Sequence, residues 1–238
     1  MTKKINTKLL KLIKYYSLIN HNLIYENEAI NRYKINNNIA NKGPKSKKLQ
    51  ELRDAISKIK NCELKNNSTN IVFSDGNPDA HIMIIGEGPG ANEDLEGVPF
   101  IGRTGELLDK MLSSINLDRN SVYISNVVNY RPPENRNPNK EEITRYLPYL
   151  IKHIEIINPK VLILLGSTAL NTIIGDENVI SDIRGKWIEK KIGICNVLVI
   201  ASFHPAFLMR QPEQKKLSWI DLKMIKKKIY DLKIKIER

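Results

Sequence analysis

Apolar and polar positions along the chain alternate between two periods. Short, nearly unbroken apolar runs occur at 81–86 (HIMIIG), 121–128 (SVYISNVV), 161–166 (VLILLG) and 196–202 (NVLVIAS). Each has strand length and is rich in Ile and Val or Leu, the pattern of strands buried on both faces. Between the runs, 105–115, 141–157 and 167–174 carry apolar residues at helical spacing, the second containing Pro148. After the last run, Leu222, Ile225, Ile229, Leu232 and Ile236 fall on one helical face of 219–236. Strand–helix alternation of this kind predicts an α/β domain whose parallel sheet is covered on both sides.

The amino-terminal part breaks this rhythm. Residues 1–35 read as a helix with Leu9, Leu10, Ile13 and Tyr16 on one face and a strongly basic first half. They lack the apolar core and small-residue cleavage site of a secretory signal. Residues 36–48 (NNNIANKGPKSKK) read as a polar, basic linker, and 49–61 as a further helix leading to Cys62. The expected organisation is an appendage with its linker over 1–48 and one domain over 49–238, with no internal repeat.

Composition changes the picture at one point. Of 238 residues, 41% are hydrophobic and 27% charged, as in ordinary globular proteins, but 38 Lys+Arg face 26 Asp+Glu, a net charge of +12. A bias toward Lys, Ile and Asn accounts for part of this. The rest points to a polyanion, nucleic acid ahead of membrane, since no apolar run approaches the ~18 residues of a span. The two cysteines, Cys62 and Cys195, form no C-x-x-C pair, and the four histidines show no metal-ligand spacing. A reducing, cytoplasmic setting follows, with no support for zinc and no disulfide framework.

Candidate chemistry gathers directly after the strands. GEGPGANEDLEGVPF follows the first run, Asn126–Pro138 the second, Gly166-Ser167 the third and SFHPAFLMR the fourth. In an open parallel sheet such segments meet at the carboxyl edge, where ligands bind. Gly86-Glu87-Gly88-Pro89-Gly90-Ala91 satisfies the dinucleotide fingerprint G-x-G-x-x-G/A. That reading is disfavoured, because Gly97, Pro99 and Gly102 demand a long loop where a helix should open. Glu87, Glu93, Asp94 and Glu96 would moreover repel a pyrophosphate.

At these residues the chain resembles the uracil-DNA glycosylase superfamily, above all its family 4. The resemblance rests on GNPDAHIMIIGEGPGANEDLEGVPFIGRTGELLDKML, YISNVVNYRPPENRNP, LLGSTAL, Arg184-Gly185 and FHPAFLMR, in family order over roughly residues 60–222. It implies a central four-stranded parallel sheet flanked by helices in three layers. It also implies removal of uracil from DNA without a nucleotide cofactor, by a chain acting as a monomer.

The resemblance implies a role for each signature. Such an enzyme takes the base out of the duplex into a pocket, where Phe100 supplies the stacking face. Asn126, by itself as good a turn-former as a ligand, becomes the uracil reader: its amide offers a donor and an acceptor side by side, matching uracil O4 and N3–H, provided a neighbour fixes its orientation. His204 faces uracil O2 and stabilises the departing anion. Glu87, Glu93 and Asp94 are the acids available to steady the cationic sugar or orient water, their division of labour open. Glu93 also crowds the position of a thymine methyl group. Gly88 and Gly90 let backbone amides approach the base. Leu208 is the expected apolar wedge into DNA, with Arg131, Arg136 and Arg210 on phosphates.

Family 4 members usually hold a four-iron, four-sulfur cluster on four cysteines. The corresponding positions here read Ile59, Cys62, Tyr130 and Tyr146. One thiolate does not hold a cluster needing four ligands, so no iron–sulfur cofactor is expected and the vacated volume should be refilled by packing. The expected function is uracil excision from DNA. The alternatives are a catalytically inactive DNA-binding relative and, well behind, a nucleotide-binding oxidoreductase.

Overall fold

The computed structural model describes residues 44–175 and 178–236. The helix expected over 1–35 and residues 36–43 of the expected linker lie outside them. In chain order the elements are α1 (Pro44–Ser57), α2 (Glu63–Asn66), β1 (Asp75–Gly76), β2 (Ile82–Gly86), α3 (Ala91–Glu96), α4 (Gly102–Ser114), β3 (Tyr123–Asn126), α5 (Lys140–Ile157), β4 (Val161–Leu165), α6 (Ser167–Ile174), α7 (Ile180–Ile183), β5 (Trp187–Ile192), β6 (Cys195–Ser202), α8 (Pro205–Arg210) and α9 (Lys215–Asp231).

The sheet order is β1-β3-β2-β4-β6-β5. Strands β3, β2, β4 and β6 run parallel, as the four apolar runs predict. The sheet as a whole is six-stranded and mixed rather than four-stranded and parallel, because β1 and β5 add antiparallel edges. The sequence pattern hides both. β1 is two residues long, and WIEKKI of β5 alternates half-buried and exposed positions, as an edge strand does.

Every residue of β2, β3 and β4 is buried, and side chains alternate between two cores. Met83, Ile85, Tyr123, Leu162, Leu164, Val199 and Ala201 join the core under α1, α5 and α6. Ile82, Ile84, Ile124, Ile163, Leu165 and Ile200 join the core under α4, α8 and α9. Two helical layers on one sheet make the three-layer α/β architecture. A one-residue slip of any central strand would exchange its side chains between the two cores.

Two boundaries differ from the pattern reading, and the proline expected to interrupt a helix does not. Helix α1 begins at Pro44, inside the stretch read as linker: proline lacks the N–H that a first turn leaves unbonded, and Lys45 Nζ donates to the Ile157 carbonyl at 2.9 Å. Helix α5 runs through Pro148, which is exposed and costs the helix one backbone bond. Helix α9 stops at Asp231, leaving Leu232 and Ile236 beyond it. Among the described residues no helix is long and apolar enough to cross a membrane.

Register brings the functional segments level. Gly86 pairs with Asn126, Ile85 with Leu164, and Leu165 with Ser202. Beyond the strand ends, Val127 N–H donates to Gly86 O at 2.9 Å and Gly166 N–H to Ser202 O at 2.9 Å. The loops after β2, β3, β4 and β6 therefore leave the sheet at one height and wall one cleft.

Candidate active site

The cleft holds about 670 Å³ and is lined from all four of those loops: Glu87, Gly88 and Gly90 with Glu93 and Phe100, then Asn126, then Gly166 to Thr168, then His204, Phe207 and Arg210. Asn126 ends β3 with 3% of its surface exposed, and its Oδ1 is buried without a hydrogen-bond donor. That oxygen and the Phe100 ring both pack over the Cα of Gly86, where any Cβ would collide with them. Glycine at 86 is thus what lets the amide and the ring share one wall. A buried acceptor without a donor costs roughly 1–3 kcal/mol, which a ligand N–H would recover.

Opposite them, His204 and Phe100 place their ring centroids 5.4 Å apart at 30°. His204 is the N-cap of α8: its Nδ1 accepts from Ala206 N–H at 3.2 Å. Burial, helped by the Arg210 charge, drops its pKa to about 4. The imidazole is neutral at physiological pH, and because Nδ1 is an acceptor the proton sits on Nε2. A neutral N–H donor is what an oxygen gaining negative charge requires, and it brings no competing cation.

The three acids have separate surroundings. Glu87 is half-buried on the cleft wall and accepts from Thr168 Oγ1. Glu93 lies on the cleft too, yet its two oxygens accept from Gly90 N–H and Ile101 N–H, each at 3.1 Å. The Gly90 bond is the N3-to-N-cap half of a capping box, glycine having no side chain to return it, and α3 opens directly after Gly90 where a long loop was expected. Asp94 is 3% exposed, does not line the cleft, and accepts from Thr69 N–H and Asn70 N–H.

The predicted DNA contacts divide likewise. Arg210 and Arg136 lie at the cleft, Arg136 forked onto Glu142 at 2.8 and 2.7 Å. Arg131 is half-buried, donates to Asn135 Oδ1 at 2.8 Å and does not line the cleft. Leu208, expected at the surface as a wedge, is 1% exposed and belongs to the core. In α8, Pro205 and Leu208 are three residues apart and share the inward face, whereas Phe207 and Arg210 share the face on the cleft.

With this geometry in view, comparison with known proteins decides the family. Residues 73–225 match the uracil DNA glycosylase superfamily model. The chain belongs to the uracil-DNA glycosylase superfamily. It is 39% identical to the type-4 uracil-DNA glycosylase of Sulfurisphaera tokodaii over 183 residues, 75% of this chain and 83% of that one. It is 39% identical to the Archaeoglobus fulgidus type-4 enzyme over 184 residues, 74% and 92% of the two chains. With the Thermotoga maritima type-4 enzyme identity is 41% over 166 residues, 68% and 83%.

The residues at the four positions that carry cluster cysteines in family 4 do not fit an iron–sulfur group. Cys62 brings the one thiol; Tyr130 and Tyr146 are 6% and 0% exposed, packed with Cys62 in the core under α1 and α5, and Ile59 packs against it. Burial raises the pKa of both tyrosines, with the Cys62 sulfur adding to it, so neither is available as a phenolate. Among the described residues no group of three or more His, Cys, Asp or Glu is placed to hold a metal ion.

Sequence reasoning missed several supporting residues. Arg184 is more than a family signature: it pairs with the fully buried Asp221, and its guanidinium lies 5.4 Å from the Phe203 ring centre. Ser202 Oγ donates to Asp221 Oδ2 at 2.7 Å, which anchors the end of β6 beside His204. Burial raises the Asp221 pKa, and Ser202 and Arg184 offset this only in part. Thr168 lines the cleft beside Glu87, and Arg119 supports the cleft from outside through the Phe100 carbonyl. Thr168 was signalled by its place just after a buried strand and within LLGSTAL; for Arg119 there was no signal.

Proposed function

We propose that this chain is a uracil-DNA glycosylase, which turns uracil out of DNA into the cleft and hydrolyses its N-glycosidic bond to leave an abasic site. The observation that carries the reading is Asn126: a buried amide oxygen without a donor, beside an aromatic face and across from a neutral histidine. Uracil N3–H supplies the missing donor, O4 takes the amide N–H, and the Phe100 ring covers the base. As the glycosidic bond lengthens, charge collects on O2, where His204 Nε2–H donates. Glu87 is the acid whose carboxylate is not committed to backbone amides, so it takes the sugar side. Phe207, braced by the Phe203 ring at 4.9 Å, fills the wedge role, and Arg210 meets phosphate. We place the chain in the cytoplasm as a monomer acting on uracil-containing DNA.

A specific observation favours a second reading, a DNA-binding relative without catalysis. The cluster positions Ile59, Tyr130 and Tyr146 have lost their thiols, and two of the three candidate acids, Glu93 and Asp94, are occupied by backbone hydrogen bonds. Incubation with an oligonucleotide containing one uracil, followed by alkali, separates the two. Strand cleavage at the uracil is expected; intact DNA that is nonetheless bound would establish the inactive relative.

A further inference from the structure

Phe100 is held in an unusual way. Its φ is 53°, in the left-handed region that a bulky residue seldom adopts, so something must hold it there. Its carbonyl sinks into the first turns of α4 against the Cα of Gly105, where any Cβ would strike the oxygen. Arg119 Nη2 donates to the same carbonyl, and Nη1 donates to Pro99 O at 3.2 Å. The guanidinium is itself fixed on two sides, by Asp75 Oδ2 on β1 at 2.7 Å and by Asp109 Oδ1 on α4 at 2.8 Å. Arg119 does not line the cleft and reaches it only through the backbone carbonyl of Phe100.

We infer that Arg119 and Gly105 form a backbone socket that sets the Phe100 ring over the cleft, with Arg119 a positioning residue for base stacking. A stacking ring works only at the right height and tilt. In a loop between α3 and α4, a left-handed residue left to itself would relax and carry its ring away from Asn126 and His204. The planar fork of Arg119 serves two consecutive carbonyls and two carboxylates at once, which a lysine ammonium does not reproduce. The edge strand β1, short as it is, supplies Asp75 and so belongs to the site's support. This inference rests on the uracil reading for its catalytic consequence but not for its geometry.

The test uses the full chain carrying Arg119→Met, Arg119→Lys or Gly105→Ala. Each is assayed for single-turnover uracil release, for inhibition by free uracil, and for affinity toward DNA with an abasic-site analogue, which has no base to stack. For Arg119→Met, release should slow more than tenfold and free-uracil inhibition weaken several-fold, while abasic-DNA affinity stays within about twofold. Arg119→Lys should recover only part of the loss, and Gly105→Ala should reproduce it through the opposite side of the socket. In a Phe100→Ala background, Arg119→Met should add nothing further, since residues acting as one unit are not additive. Additive losses, or unchanged release in Arg119→Met, would overturn the socket. If the unmodified chain releases no uracil, the functional reading fails instead, and the socket is judged by NMR. The His204 ring protons, shifted by the nearby Phe100 ring, should then move in both Arg119→Met and Gly105→Ala, and unchanged signals refute it. A variant that does not fold leaves the decision to the other two.

Discussion

The Cys62 thiol lies 3.3 Å from the Tyr146 hydroxyl, both buried between α2 and α5. One of the four family 4 cysteine positions thus hydrogen-bonds another, here a phenol, and the space between them is filled with ring. Tyr130 is buried in the same core, which fixes the start of the Tyr130–Pro133 segment against the domain. Protein purified without oxygen should be colourless and free of stoichiometric iron and sulfide. Tyr146→Phe removes one hydrogen bond and should cost about 1 kcal/mol, whereas Tyr146→Ala empties a fully buried site and should cost roughly 3–5 kcal/mol. Denaturant unfolding measures both. Iron in the anaerobic preparation, or a Tyr146→Ala loss no greater than that of Tyr146→Phe, would contradict this account.

Asn126 carries the base-reading argument, and its truncation is the direct probe. Asn126→Ala removes the paired contacts and should lose roughly 1–3 kcal/mol of base discrimination, while also removing a buried acceptor that has no donor in the free protein. The variant should therefore bind and cleave uracil DNA far more weakly and yet be no less stable. A single-turnover rate equal to that of the unmodified chain would remove Asn126 from the reader role.

How much of this was legible beforehand follows from what each residue does. The four central strands and their shared edge were readable because strands buried on both faces leave continuous apolar runs, and motif positions follow from the topology. Asn126 and His204 fall together on the cleft because they stand at a strand end or directly after one, and Phe100 joins them from the β2–α4 connection, beyond the short helix α3. The edge strands β1 and β5 were not readable: one is too short to show a period, and the other keeps one face to solvent. Leu208 was misplaced because hydrophobicity alone does not say which face of a one-and-a-half-turn helix points inward. Arg119 and Asp221 act through contacts across 10 or more residues of sequence, and no local pattern announces such partners.

Acid should act on two imidazoles. Burial holds His153 at about 3 and, with Arg210 adding to it, His204 at about 4, against an ordinary value of 6.5. His153 stacks on Phe73 at 4.6 Å, and its Nε2 lies 2.8 Å from the Tyr123 hydroxyl, with no carboxylate bonded to it. As pH falls below 6.5 the unfolded chain binds protons that the folded chain refuses. Stability present at neutral pH is therefore lost from about 6.5 down to 4 through His204, and on to about 3 through His153. Proton NMR should show both midpoints, and thermal scans should show the melting temperature dropping over that window. A His204 midpoint near 6.5 would mean the ring is not held neutral by its surroundings.

The three carboxylates after β2 can be sorted by one comparison of rate with stability. Glu93 accepts two backbone N–H groups from residues on the cleft, Gly90 and Ile101, and Asp94 accepts from two more, Thr69 and Asn70, away from it. An amide has one acceptor oxygen where a carboxylate has two, so Glu93→Gln strands the Gly90 or the Ile101 N–H, whereas Asp94→Asn keeps Oδ1 for Thr69 and Asn70 but turns an NH2 toward the Thr69 N–H that Oδ2 also accepts; each should cost roughly 1–3 kcal/mol of stability. Glu87 makes its side-chain bond to Thr168 Oγ1 and otherwise faces the cleft, so Glu87→Gln keeps an acceptor for the hydroxyl and should leave stability nearly unchanged. What it loses is the negative charge facing the sugar. That should slow uracil release by about a hundredfold or more, the scale of a positioned acid–base group. Denaturant midpoints and single-turnover rates on the three variants form the test. Glu87 would lose its assignment if Glu87→Gln kept its rate, and the structural roles of Glu93 and Asp94 would fail if their variants were slow but fully stable.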